Sequence, residues 1–334
     1  MGKVIIGMDI AKQVFQVHAT DSEGKVLHLR KLSRAQVLPF FAGLAAPALV
    51  GMEACGTAHH WARELTKLGH EVRLLPPTAV KPFVKLGKKN DAADAAAIRE
   101  ALARPHIHPV PIKTPEQQAV LALHAVREQL VAERTRMICA VRAHFAENGI
   151  VAATGRAKFA TLDVQVNDLP RHAAVAVRVL LGRIASADAD IAALEKELLE
   201  HHRTDEPSRN LATIPGIGPL AATLIAAKVG DPSRFKCGRD FAAWLGLVPR
   251  QNSSGGKDRL GRITKAGDRA VRRMLFLGAL GQVWRAKPGT WLARLRDGKP
   301  AKLAAMALAN KTARIAWAVL ARGEVYRETL AVAA

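Results

Sequence analysis

The chain has 334 residues, 49% of them hydrophobic, enough to bury the cores of two or three domains. Its 50 Lys and Arg against 29 Asp and Glu leave a formal net charge of +21, which argues against an enzyme of neutral metabolites and for a large polyanionic partner, nucleic acid by default. An anionic membrane is the rival, but the apolar runs are broken by Arg272, Lys311 and Arg314, and none has the length of a spanning helix. The opening MGKVIIGMDIAKQ lacks a signal peptide's cleavage site, so the expectation is a cytoplasmic protein, nucleoid-associated when acting. Three cysteines, Cys55, Cys139 and Cys237, lie far apart without C-x-x-C spacing, against a zinc knuckle or a disulfide framework.

Residues 1–110 read as an α/β domain. Val4 to Ile10 is a short β-branched apolar run, Val14 to Ala19 alternates, and Lys25 to Leu32 gives a third strand, joined to the second by the turn at Ser22 to Gly24. Ser33 can cap a helix through Phe41. Leu49 to Met52 is a buried strand ending at Glu53, followed by a helix over 58–68 stopped by Gly69 and a strand from Glu71 to Leu75. Asp9 and Glu53 therefore fall at the carboxyl ends of buried strands, where an acid is costly unless paired or metal-bound.

Lys88 to Arg99, KKNDAADAAAIR, adds Asp91 and Asp94, three residues apart at the start of an Ala-rich helix and so able to face one hard cation. Alone, the pair is equally a helix cap and a first-turn acid that suits the macrodipole. Strand, hairpin, helix, acid-ended strand and a helix with paired acids is the layout of ribonuclease H-like nucleases, the RuvC type in particular. The actin and sugar-kinase folds share that sheet but cradle phosphate on a Gly two residues after the Asp; here Ile10 and Ala11 follow Asp9.

Pro105, Pro109, Pro111 and Pro115 mark a boundary, after which 111–205 reads as an all-α, coiled-coil-like segment. Glu116 to Glu147 is one long helix. A second follows Pro170, with Val177, Leu180, Ile184, Ala187, Ile191, Leu194 and Leu198 in steps of three and four. That seam can close an intramolecular hairpin or a dimer. His201 and His202 at its end are expected to be solvated.

Residues 206–334 read as a helical domain. Leu211 to Leu224 matches a helix-hairpin-helix, in which Gly216 and Gly218 would let backbone N–H groups approach a DNA phosphate; the alternative is a plain turn between core helices. From 251 to 323 the acids are Asp258, Asp268 and Asp297, against Lys257, Arg259, Arg262, Lys265, Arg272, Arg273 and other cations, a footprint for a phosphate backbone. Pro249 to Arg262, PRQNSSGGKDRLGR, reads as a flexible polar loop between helices, in which a serine is either part of a linker or a nucleophile beside cations.

Taken together, IGMDIAK around Asp9, GMEACGT around Glu53, KNDAADA around Asp91 and Asp94, IPGIG at 214–218, PRQNSSG and ITKAGDRAVRR make the chain resemble, almost end to end, the DEDD-type transposases of bacterial insertion sequences. These are bridge-RNA-guided recombinases whose relatives include the pilin-gene DNA invertase. The resemblance implies that Asp9, Glu53, Asp91 and Asp94 are a RuvC-like metal-binding tetrad for two Mg²⁺ ions, for which Mn²⁺ can stand in. It implies that Ser254, beside Ser253, is the nucleophile that becomes joined to DNA. The implied partners are double-stranded donor and target DNA, a structured noncoding guide RNA, and further copies of the chain, as a dimer and as a tetramer at synapsis. A junction-resolving RuvC-like endonuclease using water as nucleophile is the alternative enzyme. A non-enzymatic nucleic-acid-binding regulator is the third reading, which the complete tetrad disfavours.

Overall fold

The computed structural model describes residues 3–84, 91–151, 155, 159–252, 256 and 259–328. The chain divides into two compact units, Met1–Pro115 and Glu116–Ala334.

The first unit is a five-stranded mixed sheet, β1 (Ile5–Ile10), β2 (Val14–Thr20), β3 (Val26–Ser33), β4 (Leu49–Glu53) and β5 (Glu71–Leu75), in the order β3-β2-β1-β4-β5. β1, β2 and β3 form an antiparallel meander, while β1–β4 and β4–β5 pair in parallel. The β2–β3 turn is held by Asp21, whose carboxylate accepts from the amides of Glu23 and Lys25 at 3.0 and 2.9 Å. Ser33 precedes a single 3₁₀ turn before α1 (Val37–Ala42), and the Gln36 side chain reaches back to accept from the Ser33 amide at 2.9 Å.

Period-two alternation sorts the sheet into two faces. Ile6, Met8, Phe15, Val17, Val50, Met52 and Leu74 point to one side, where α1 and α2 (Ala58–Lys67) cover them with Phe41, Trp61, Ala62 and Leu65. On the other side Leu49 and Leu75 meet Ala97, Ile98, Ala101 and Leu102 of α4 (Asp91–Leu102), after the single turn α3 (Pro77–Val80). Helices on both faces of a sheet with this strand order are compatible with a RuvC-like domain. The proline-rich stretch is not a free linker. Val110 N–H donates to Leu74 O at 2.7 Å, Lys113 N–H donates to His59 Nδ1 at 3.2 Å, and Val110 and Ile112 pack on the sheet's core.

Among the described residues the second unit is helical apart from one hairpin. α5 (Pro115–Ala146) and α6 (Arg171–Thr204) run antiparallel, linked by Arg127–Glu195 and Arg134–Asp188, each at 2.6 Å. The apolar seam of α6 is used within the chain: Val177 and Ile184 bury against Val141 and Phe145, and Leu198 against Val120 and Ala227. A 3₁₀ stretch, Ala160–Asp168, closes the far end of the pair. Its sequence has no helical period, so no pattern announces it. The remaining core gathers α7 (Glu206–Ala212), α8 (Pro219–Val229), α9 (Gly238–Trp244), α10 (Arg269–Trp284), α11 (Trp291–Gly298) and α12 (Ala301–Arg322). Among the described residues no helix is long and apolar enough to cross a membrane.

Candidate active site

Asp9, Glu53, Asp91 and Asp94 come from three elements, and a pair of glycines decides how closely those elements pack. Gly7 of β1 and Gly51 of β4 are register partners. Above Gly7 the backbone of α4 passes so closely that a Cβ would fall on the carbonyl of Ala95 and 2.5 Å from the amide of Arg99. Above Gly51 a Cβ would stand 2.9 Å from Leu102 Cδ2. Two residues beyond each glycine, on the same face, come Asp9 and Glu53. The residue before Ala95 is Asp94, and Asp91 lies one turn earlier. The bare strands and the alanine-rich helix thus let α4 lie down with its acidic first turn toward the carboxyl ends of β1 and β4.

The electrostatics follow from this packing. The Asp9 carboxyl is pushed up to about 6 by burial, then by the charges of Asp94, Asp91 and Glu53, against the opposing pull of the Ile10 amide. Burial, Glu53 and Asp9 also raise the Cys55 thiol. Asp91 is exposed, while Asp9, Glu53 and Asp94 are half-buried. The acids feel one another, yet among the described residues no three His, Cys, Asp or Glu side chains converge tightly enough to form a ligand cluster. As a donor set, four carboxylates on a half-buried face suit a hard divalent cation, whose charge would relieve the repulsion that raises Asp9.

The flanks of the serine segment lie in the second unit and are not a loop between helices as the sequence suggests. They form a two-stranded antiparallel hairpin, β6 (Pro249–Gln251) with β7 (Leu260–Ile263), extended by Asn252 N–H donating to Arg259 O at 2.8 Å. Strands of three and four residues, PRQ and LGRI, are too short to carry a readable period, and backbone pairing alone makes them strands. Ser253, Ser254 and Lys257 lie outside the described residues. Arg259, Arg262 and Lys265 are exposed on the hairpin and its exit. Arg272 is half-buried and donates from Nη1 to Leu245 O at 2.9 Å and Gly267 O at 3.1 Å, so it ties the base of the hairpin. Arg273 is exposed, 3.7 Å from Glu128.

The 213–218 turn joins α7 to α8. Gly216, at φ +85°, sits against α10: Gln282 Nε2 donates to Pro215 O at 2.9 Å, and a Cβ on Gly216 would stand 3.1 Å from Gly278 O. Its close approach is therefore to a helix of its own unit, whereas Gly218 faces open space. A groove of about 490 Å³ runs beside the turn, with Leu220, Leu224 and Met274 in its wall and Lys228 and Arg273 at its edge.

Two family models match the chain. One, a DEDD transposase model of the IS110 type described as "Transposase", covers residues 6–148, the segment that holds all four acids. The other, "Transposase IS116/IS110/IS902 family", covers 208–295, from the turn through the hairpin to α11. A "Probable family 20 transposase" from Pseudomonas aeruginosa is 47% identical over 334 residues, with 96% of this chain and 98% of that protein covered. The chain belongs to the DEDD-type IS110/IS116 transposase family. Other members are the transposase for insertion sequence element IS1328 from Yersinia enterocolitica, 39% identical over 96% of this chain and 98% of its own length, and that for IS1111A from Coxiella burnetii, 39% identical over 97% and 91%. As an insertion-sequence transposase it is a DNA-processing enzyme, and the DEDD domain implies use of a divalent metal.

Sequence reasoning missed Gly7 and Gly51. Their signal is an internal echo, Ile6-Gly7-Met8-Asp9 and Val50-Gly51-Met52-Glu53, in which a seat, a core methionine and an acid recur on two strands.

Proposed function

We propose that this transposase cuts and rejoins DNA through Mg²⁺ held by Asp9, Glu53, Asp91 and Asp94 and a covalent phosphoserine at Ser254, with a bridge RNA choosing donor and target. The observation that carries the metal part is the raised pKa of Asp9 among three further acids on one seat. Two divalent ions there would supply Lewis-acid stabilisation of the charge that develops on the transferring phosphate. The half-buried carboxylates orient and hold that charge, and the bulk of β1, β4 and α4 keeps water from one side of it. Ser254 Oγ forms a P–O bond as the scissile P–O bond breaks, the bonding pair leaves on the departing sugar oxygen, and the serine's proton passes through solvent to that oxygen, which becomes a free hydroxyl. Attack by that hydroxyl on the phosphoserine reverses the step, so strands are resealed without ATP. Gly255 and Gly256 allow a phosphodiester close to the serine, and Lys257, Arg259, Arg262 and Lys265 supply positive charge beside it. Sequence choice falls to RNA pairing, which leaves the protein's cations to hold backbones.

The test is the covalent link. Wild-type protein with guide RNA, Mg²⁺ and labelled substrate DNA should give a denaturant-resistant, protease-sensitive adduct whose peptide maps to residue 254, and Ser254→Ala should abolish it. An adduct at Ser253 moves the nucleophile by one residue. DNA cut with no adduct replaces the serine by water and makes the chain a hydrolytic nuclease.

A further inference from the structure

One side of α12 carries cations that the reading above does not use. Ala307, Lys311, Arg314 and Ala318 recur at three- and four-residue steps and form a single stripe on the helix. With Arg239, Trp291 and Trp317 this stripe lines an open cavity of about 670 Å³, within the size range of pockets that take a small organic group. Among the described residues no Asp or Glu lines it. Arg239, Lys311 and Arg314 are exposed and form no ion pair with a described residue, whereas elsewhere in the unit Arg127, Arg134 and Lys228 are all matched by acids. Three uncompensated cations around one concavity repel each other and attract a polyanion.

The wall also has an aromatic component held in place. Trp291 is 43% exposed, with Lys311 Nζ 5.1 Å from its ring centroid, so the indole is pinned by the cation yet keeps surface open. Trp317 donates from Nε1 to Pro232 O at 3.2 Å. Asn310 donates to Leu247 O at 3.1 Å, which ties α12 to the segment that enters β6 two residues later. Cations spaced around an exposed indole are the two halves of a single-strand grip, one for phosphate and one for a base face. In a duplex the base faces are hidden by stacking, so the indole would gain nothing from it.

We propose that this concavity binds an unpaired nucleotide of a single-stranded nucleic-acid segment, the base against Trp291 and its phosphates among Arg239, Lys311 and Arg314. The contact is sequence-tolerant, because every base has a π-face, and it is independent of the carboxylates and the serine.

Anisotropy of labelled 15-mers on the full chain without divalent metal tests it. Three probes are compared: oligo-dT, oligo-U and a mixed-sequence duplex. Trp291→Ala should weaken both single strands by about tenfold and leave the duplex within about twofold. Trp291→Phe should recover most of the loss. Lys311→Gln with Arg314→Gln should weaken single-strand binding and flatten its salt dependence. A larger loss on oligo-U than on oligo-dT assigns the segment to RNA, the reverse assigns it to DNA, and equal losses support recognition of the chemistry they share. Photocrosslinking of halogenated oligonucleotides should map to Trp291. Because no cleavage is read, failure of the serine–metal reading would leave this result unaffected. Equal losses on duplex and single strand, no loss on either, or competition by poly-Glu peptide as strong as by oligonucleotide would each overturn the proposal, the last making the pocket a site for acidic peptides.

Discussion

Asp9 carries both a cost and a use. Its pKa of about 6 means that near neutral pH the folded protein holds a carboxylate that burial first, and then its acidic neighbours, oppose. Asp9→Asn should therefore abolish metal-dependent cleavage while stabilising the protein without metal by on the order of 1 kcal/mol. Parallel cleavage assays and thermal melts check this, and a variant that cleaves at the wild-type rate removes Asp9 from the site. His124 makes a second residue-scale prediction. It is buried, its Nε2 lies 3.0 Å from Thr223 Oγ1, and burial first, then Arg127, Lys228 and His201, lower its pKa to about 4. Between that value and the ordinary 6.5 the unfolded chain binds a proton that the folded chain refuses. Its stabilisation is complete above about pH 6.5 and is lost as pH falls toward 4. Melts at pH 7.5 and 5 should show His124→Gln losing part of the wild type's acid sensitivity, about 2 kcal/mol. His59, lowered to about 4 by burial, Lys113 and Arg63, adds a second source in the first unit.

Among the elements, α4 is the one on which the site depends. It is Ala-rich because only a thin helix on glycine-bearing strands brings Asp91 and Asp94 down to the sheet. Gly7→Ala would drive a methyl into the α4 backbone, which cannot yield without lifting the helix. A loss of more than about 2 kcal/mol and of cleavage is expected. Gly51→Ala meets the Leu102 side chain instead, whose far end can turn, so the same assays should give a milder loss. Equal effects from the two would mean that α4 is not seated as described. The α5–α6 pair shows the same logic without chemistry: a seven-residue seam says only that a partner exists, and cross-links such as Arg134–Asp188 say that the partner is in the same chain.

At the scale of the whole molecule, charge is the dominant property. A net charge of +21 predicts that nucleic-acid affinity falls by at least about tenfold between roughly 50 and 200 mM salt. Binding isotherms across that range check it, and a flat response would exclude a backbone-dominated grip. Replacing exposed Arg259 and Arg262 by Gln should flatten the slope. Arg272→Gln should instead lower the melting temperature, because its guanidinium holds the carbonyls of Leu245 and Gly267.

By itself the sequence determined the order and kind of the elements of the first unit and of the long helix pair, and of the later helices, Arg269–Trp284 and Ala301–Arg322 among them, only that the region is helical; period-two and helical patterns with Gly, Pro and Ser at their ends are local properties. Asp9 and Glu53 as strand-end acids were legible for the same reason: each is costly where its own strand puts it. Only the tertiary structure decided that Gly7 and Gly51 pair and admit α4, because a missing side chain gains meaning from what occupies its space. Tertiary structure alone turned the segment around the serine into a hairpin and made Arg272 a tie for two carbonyls. It also gathered Trp291, Arg239 and the α12 cations around one cavity. Those features rest on backbone pairing and on contacts between residues distant in the chain, and neither leaves a period in the sequence.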